Sequence, residues 1–87
     1  MKIIILYRPN SEHARTTEEF VASLKQKTTP VRIEAVNIDT REGWAVASLY
    51  DILQYPAVMV VREDGQLQKY WEGNDLPRID EVQGYLN

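Results

Sequence analysis

Tyr55-Pro56-Ala57-Val58-Met59-Val60-Val61, running on to Glu63-Asp64-Gly65-Gln66, is the stretch that decides how the chain folds. Five consecutive apolar residues from Ala57 to Val61 suit a central strand covered on both faces, where no polar side needs to alternate with an apolar one. Pro56 opens this strand instead of interrupting it, because a proline in a strand interior would forfeit a ladder hydrogen bond. Asp64-Gly65 favours a tight hairpin, since its backbone needs positive φ. Gln66 to Trp71 alternates more and suits an edge strand.

Outward from that hairpin the periods change twice. Ile3 to Tyr7 is a second continuous apolar run and predicts another strand buried on both faces. From Ser11, the residues Ala14, Thr17, Phe20, Val21 and Leu24 recur at spacings of three and four, one face of a helix of about four turns. Thr28-Thr29-Pro30 closes it, because proline cannot continue a helix. Val31 to Ile38 reads as a strand. Asp39-Thr40 caps a second helix whose apolar positions are Trp44, Ala47, Leu49, Ile52 and Leu53. Asn74-Asp75 caps a third, with Pro77 in its first turn and Leu76, Ile79, Val82 and Leu86 as its buried stripe.

The predicted order is β-α-β-α-β-β-α, an α/β domain with a four-stranded mixed sheet and helices on both faces. The first β-α-β unit is expected to be parallel with a right-handed crossover, and the last two strands an antiparallel hairpin. Tyr7 and Phe20 are expected in the core. Trp44 and Trp71 stay open between half-buried packing and exposed contact.

Composition narrows the function classes. Residues 1–87 make a single domain near the small end of what folds unaided, and 44% hydrophobic residues is ordinary for a globular chain. There is no cysteine, so neither a disulfide framework nor a thiolate metal site supplements the core. One histidine and scattered carboxylates offer no clustered metal ligands, and no cofactor is expected. A net charge of −3 with no Lys/Arg block disfavours nucleic acid as a partner. Met1-Lys2 followed by an apolar run has the look of a signal peptide, but Arg8-Pro9-Asn10 ends the run after five residues, with no small-residue cleavage site. No stretch approaches a membrane span. The expectation is a soluble, cytoplasmic protein.

Taken in order, Val36-Asn37-Ile38-Asp39, Ala47-Ser48-Leu49-Tyr50-Asp51-Ile52, Tyr55-Pro56 with its strand, Asp64-Gly65 and Gly73 resemble the thioredoxin and glutaredoxin superfamily over essentially the whole chain. Tyr7-Arg8-Pro9-Asn10-Ser11 is similar to glutaredoxin's approach to its first cysteine, one residue shorter. On that resemblance Ser11-Glu12-His13-Ala14 occupies the place of the Cys-x-x-Cys motif. Dithiol exchange needs one thiolate to attack and a second thiol to resolve, and neither serine nor alanine provides one. The resemblance also puts Ile5 where thioredoxins carry a buried aspartate, and Ala35 where they carry its lysine companion. A redox-inactive member, not a dithiol oxidoreductase, is therefore expected.

The resemblance further implies a cis Tyr55-Pro56 bond that leaves the backbone before Pro56 free to pair with an extended peptide. Candidate binding residues are Arg8, Asn10 and Ser11 in the first loop, Tyr55 and Pro56 opposite them, and Asp75. Arg8 stands where glutaredoxins carry a lysine that meets a glutathione carboxylate; its plainer reading is a solvated loop arginine. Asp75 partly resembles the segment that receives glutathione's amino end, and its plainer reading is a helix cap. Tyr55 is expected to project toward Ser11. His13, two residues from Ser11, points away from it on a helix, so an exposed first-turn histidine is expected instead of a catalytic pair. The expected function is binding of a peptide or protein at the groove by Pro56. The alternatives are a glutathione-type small-molecule site or thiol-independent enzyme, and a subunit that assembles with copies of itself.

Overall fold

A computed structural model describes residues 1–27, 31–73 and 75–86. Thr28, Thr29, Pro30 and Asn74, to which sequence assigned a helix stop and part of a cap, lie outside the described residues. The elements are β1 (Lys2–Tyr7), α1 (Ala14–Lys27), β2 (Arg32–Asn37), α2 (Arg41–Tyr50), β3 (Ala57–Val61), β4 (Leu67–Glu72) and α3 (Ile79–Gln83). They form one four-stranded sheet in the order β2-β1-β3-β4. β1 pairs with β2 in parallel and with β3 antiparallel, and β3 pairs antiparallel with β4.

The two inner strands are the two continuous apolar runs, and the alternation of their side chains builds two cores. Ile4, Leu6, Ala57, Met59 and Val61 face one way and meet Ala47 of α2. Ile3, Ile5, Val58 and Val60 face the other way and meet Val21 and Leu24 of α1 and Val82 of α3. Covering both faces is what allows these strands to be apolar throughout. The edge strands are only partly buried. Thr17, the buried polar residue of α1, donates its hydroxyl to the His13 carbonyl at 2.8 Å.

Four expectations change. α1 begins at Ala14, not Ser11; residues 11–13 form a turn closed by Ala14 N–H donating to the Ser11 carbonyl at 3.2 Å. α3 starts at Ile79, four residues after Asp75, which is exposed and caps nothing. The reason is Pro77: it biases Leu76 toward extended backbone, and the helix begins where Glu81 Oε1 accepts from Arg78 N–H at 3.1 Å. In α2, Ala47 is buried, as is Ile52 just beyond the helix, but Trp44, Leu49 and Leu53 are 68%, 71% and 83% exposed. At about 100° per residue, Gly43, Val46, Ala47 and Tyr50 form the stripe against the sheet, and Trp44 and Leu49 fall to either side of it. Tyr7 and Phe20 are half-buried instead of core residues.

α2 is held close to the sheet at its N-terminus. Thr40, at the N-cap, accepts from Gly43 N–H at 3.0 Å through its hydroxyl oxygen and donates that hydroxyl to the Asn37 carbonyl at 2.7 Å. Only glycine fits at position 43, because a Cβ there would stand 2.2 Å from the Asn37 carbonyl oxygen.

Candidate functional site

The loop from β1 to α1 is closed by its own polar groups. Ser11 Oγ donates to the Arg8 carbonyl, and Arg8 N–H donates to His13 Nε2 at 3.1 Å. His13 is thus half-buried and acts as an acceptor ahead of the helix, not as an exposed first-turn residue. Asn10 sits at φ 64°, a left-handed conformation that asparagine enters more readily than most residues. The Arg8 guanidinium forks onto Asp39, with Nε to Oδ2 at 3.0 Å and Nη2 to Oδ1 at 3.1 Å. These hydrogen bonds and the carboxylate's charge raise the arginine pKa.

Tyr55 and Pro56 are joined by a cis bond and belong to two different hollows. Tyr55 is half-buried against the α2-side core, donates its hydroxyl to the Ile52 carbonyl at 3.3 Å, and lines a groove of about 460 Å³. Arg8 and Asp39 close one end of this groove, and Trp44, Ser48 and Asp51 of α2 with Leu53 form its outer wall. Pro56 is buried, accepts from Gly73 N–H at 2.9 Å, and lines a hollow of about 340 Å³ with Glu12, His13, Thr16 and Leu76.

The structure therefore divides the single groove expected from sequence. Arg8 and Tyr55 come together on the α2 side, and Glu12, His13 and Pro56 on the α1 side. Ser11, Asn10 and Asp75 line neither hollow. Sequence did not assign Asp39, Trp44, Ser48, Asp51 or Leu53 to a site. For two of them the signal was phase: Trp44 in α2 and Leu53 just beyond it are apolar residues that do not fit the buried stripe.

In the segment from Ser11 to Ala14, Ser11 is half-buried and Ala14 buried. Ile5 lies opposite Ala35 in β2 and Val58 in β3, fully buried in the α1-side core, while Ala35 is exposed on the edge strand. No ionisable group occupies either position. Among the described residues no cluster of His, Asp or Glu could hold a metal ion, and no helix is long and apolar enough to cross a membrane.

No family model matches the sequence, and no curated protein matches it. Solved structures do. Thioredoxin 1 from Thermosipho africanus superposes with a TM-score of 0.72 at 15% identity, over 99% of this chain and 90% of that one. Mitochondrial thioredoxin 3 from Saccharomyces cerevisiae, in its oxidised form, gives 0.71 at 18% identity over 94% of this chain and 72% of that one. A designed protein gives 0.70 at 19% identity over 98% and 71%. This chain has the thioredoxin fold. In this thioredoxin fold there is no cysteine, so no thiolate can attack a disulfide at Ser11 or anywhere else in the sequence.

Proposed function

We propose that this protein is a redox-inactive thioredoxin-fold module that binds an extended segment of a peptide or protein partner. The groove beside α2, adjoining the Tyr55-Pro56 turn, is the surface it uses. The observation that carries this function is the exposure of Trp44 and Leu53, 68% and 83%, beside half-buried Tyr55 in one concave surface. Large apolar side chains clustered at a concavity favour a protein partner, whereas scattered ones need no explanation. A glutathione-type site draws less support, because Arg8 is already bonded to Asp39 and Asp75 stands outside the groove.

The test is selection of peptides from a displayed random library on the wild-type protein and, in parallel, on a Trp44→Ser/Leu53→Ser variant. Peptides enriched only on the wild type, and shifting the Trp44 indole resonance in a titration, are expected. The same peptides enriched on both proteins would refute the groove. Concentration-dependent self-association lost in the double variant would show instead that a second copy fills it.

A further inference from the structure

The groove's outer wall carries a residue that the fold alone does not explain. Trp44, Ser48 and Asp51 fall at i, i+4 and i+7, so they align on one side of α2. Asp51 is the C-cap, at φ 55° and ψ 42°. Glycine or asparagine would adopt this left-handed conformation without a charge. A carboxylate here adds to the negative end of the helix dipole, and the last turn of α2 contains no basic residue to offset it. Asp39, the other carboxylate on the groove, is taken up by Arg8. Asp51 is exposed and has no ion-pair or hydrogen-bonding side-chain partner among the described residues.

An uncompensated carboxylate on a helix C-terminus, beside an exposed indole and an apolar concavity, is complementary to a cation carried next to an apolar group. We infer that the bound segment presents a basic side chain adjacent to an apolar one. The cation meets Asp51, and the apolar side chain enters between Leu53 and Tyr55, in the groove that Trp44 also lines.

This inference rests on the peptide-binding function proposed above and can fail separately from it. The probes are two synthetic peptides, acetyl-Ser-Leu-Phe-Lys-Ser-amide and its Lys-to-Glu counterpart, titrated against the full chain and against Asp51→Asn by NMR. Both lack tryptophan, so the Trp44 indole reports directly. The lysine peptide is expected to bind the wild type about tenfold more tightly than the glutamate peptide, since one exposed ion pair gives up to about fivefold and the reversed charge adds repulsion. Asp51→Asn keeps the left-handed cap and should bring the two affinities within about twofold, as should high salt. Equal binding of both peptides to the wild type, or discrimination that survives in Asp51→Asn, would overturn the cation site and leave the apolar groove standing. If neither peptide shifts the Trp44 indole, both are overturned.

Discussion

Replacing Gly43 with alanine should destabilise the protein although it improves helix propensity. The added Cβ would lie 2.2 Å from the Asn37 carbonyl oxygen, 2.8 Å from Ile38 Cα and 2.9 Å from the Asn37 carbonyl carbon, all backbone atoms. None can turn aside as a flexible side chain would. The Asn37 carbonyl is further fixed because it accepts from Thr40 N–H at 3.1 Å and from the Thr40 hydroxyl at 2.7 Å. Relief therefore requires α2 to move off the sheet. Overpacking of this kind costs about 1–3 kcal/mol. Loosening the two Thr40 bonds adds about 0.5–1.5 kcal/mol each at most, and alanine's helix propensity returns about 1 kcal/mol. The net is a loss of about 2 kcal/mol, a large share of the ~4–13 kcal/mol expected for a chain of this length. Urea unfolding followed by far-UV circular dichroism measures it, with Ala45→Gly on the exposed side of α2 as the control. That control should lose about 1 kcal/mol from propensity alone. If Gly43→Ala left the midpoint unchanged or raised it, the close contact between α2 and the end of β2 would be refuted.

Three further outcomes are expected. The Tyr7 hydroxyl is pushed above the ordinary tyrosine value by partial burial, then by its 3.0 Å hydrogen bond to Glu18 and the charge of that carboxylate. Its neutral form is favoured in the folded state, so this contribution is complete below about pH 10 and is lost as pH rises through the folded value; in a tyrosinate absorbance titration, Tyr7→Phe should remove a step that lies above the ordinary tyrosine value. Cysteines introduced together at Ser11 and Ala14 should close an intramolecular disulfide on mild oxidation, detected as the loss of two hydrogens by mass spectrometry, because one turn joins the two positions. Asp51→Asn should raise stability by about 0.3–1 kcal/mol in the absence of any partner, since it removes a negative charge from the negative end of α2; an unchanged or lower unfolding midpoint would argue that Asp51 supports the fold.

Much of this architecture is legible in the residues for a definable reason. Ile3 to Leu6 and Ala57 to Val61 read as inner strands because each is covered on both faces, which leaves no polar positions in the run. The stripe of α1 is legible because Ala14, Thr17, Val21 and Leu24 keep their phase over the helix. α2 misleads where its apolar residues are counted without phase, since Trp44 and Leu49 are as hydrophobic as Ala47 but point elsewhere. Arg8 and Asp39 are separated by thirty-one positions, and nothing local marks them as partners. They meet because the ends of the parallel strands β1 and β2 stand side by side, with Tyr7 opposite Asn37.

That pairing also favours α2 over the segment of residues 11–14 as the proposed binding surface. In the loop from β1 to α1, the Ser11 hydroxyl, the His13 imidazole and the Arg8 guanidinium are each spent on an internal bond. A ligand polar enough to engage them would first have to break those bonds, at a net cost of about 0.5–1.5 kcal/mol apiece. Trp44 and Leu53 hold their apolar surface in water, and any partner that covers it gains about 25 cal/mol for each Å² removed. Trp44→Ala separates the two roles such a residue can have. A tryptophan that supports the core costs about 3–5 kcal/mol when truncated, whereas an exposed contact residue changes stability by no more than about 0.5 kcal/mol. At 68% exposure the second value is expected, together with loss of binding by every peptide selected on the wild type. A fall in the urea midpoint of core size would place Trp44 in the packing of α2 and remove it from the binding surface.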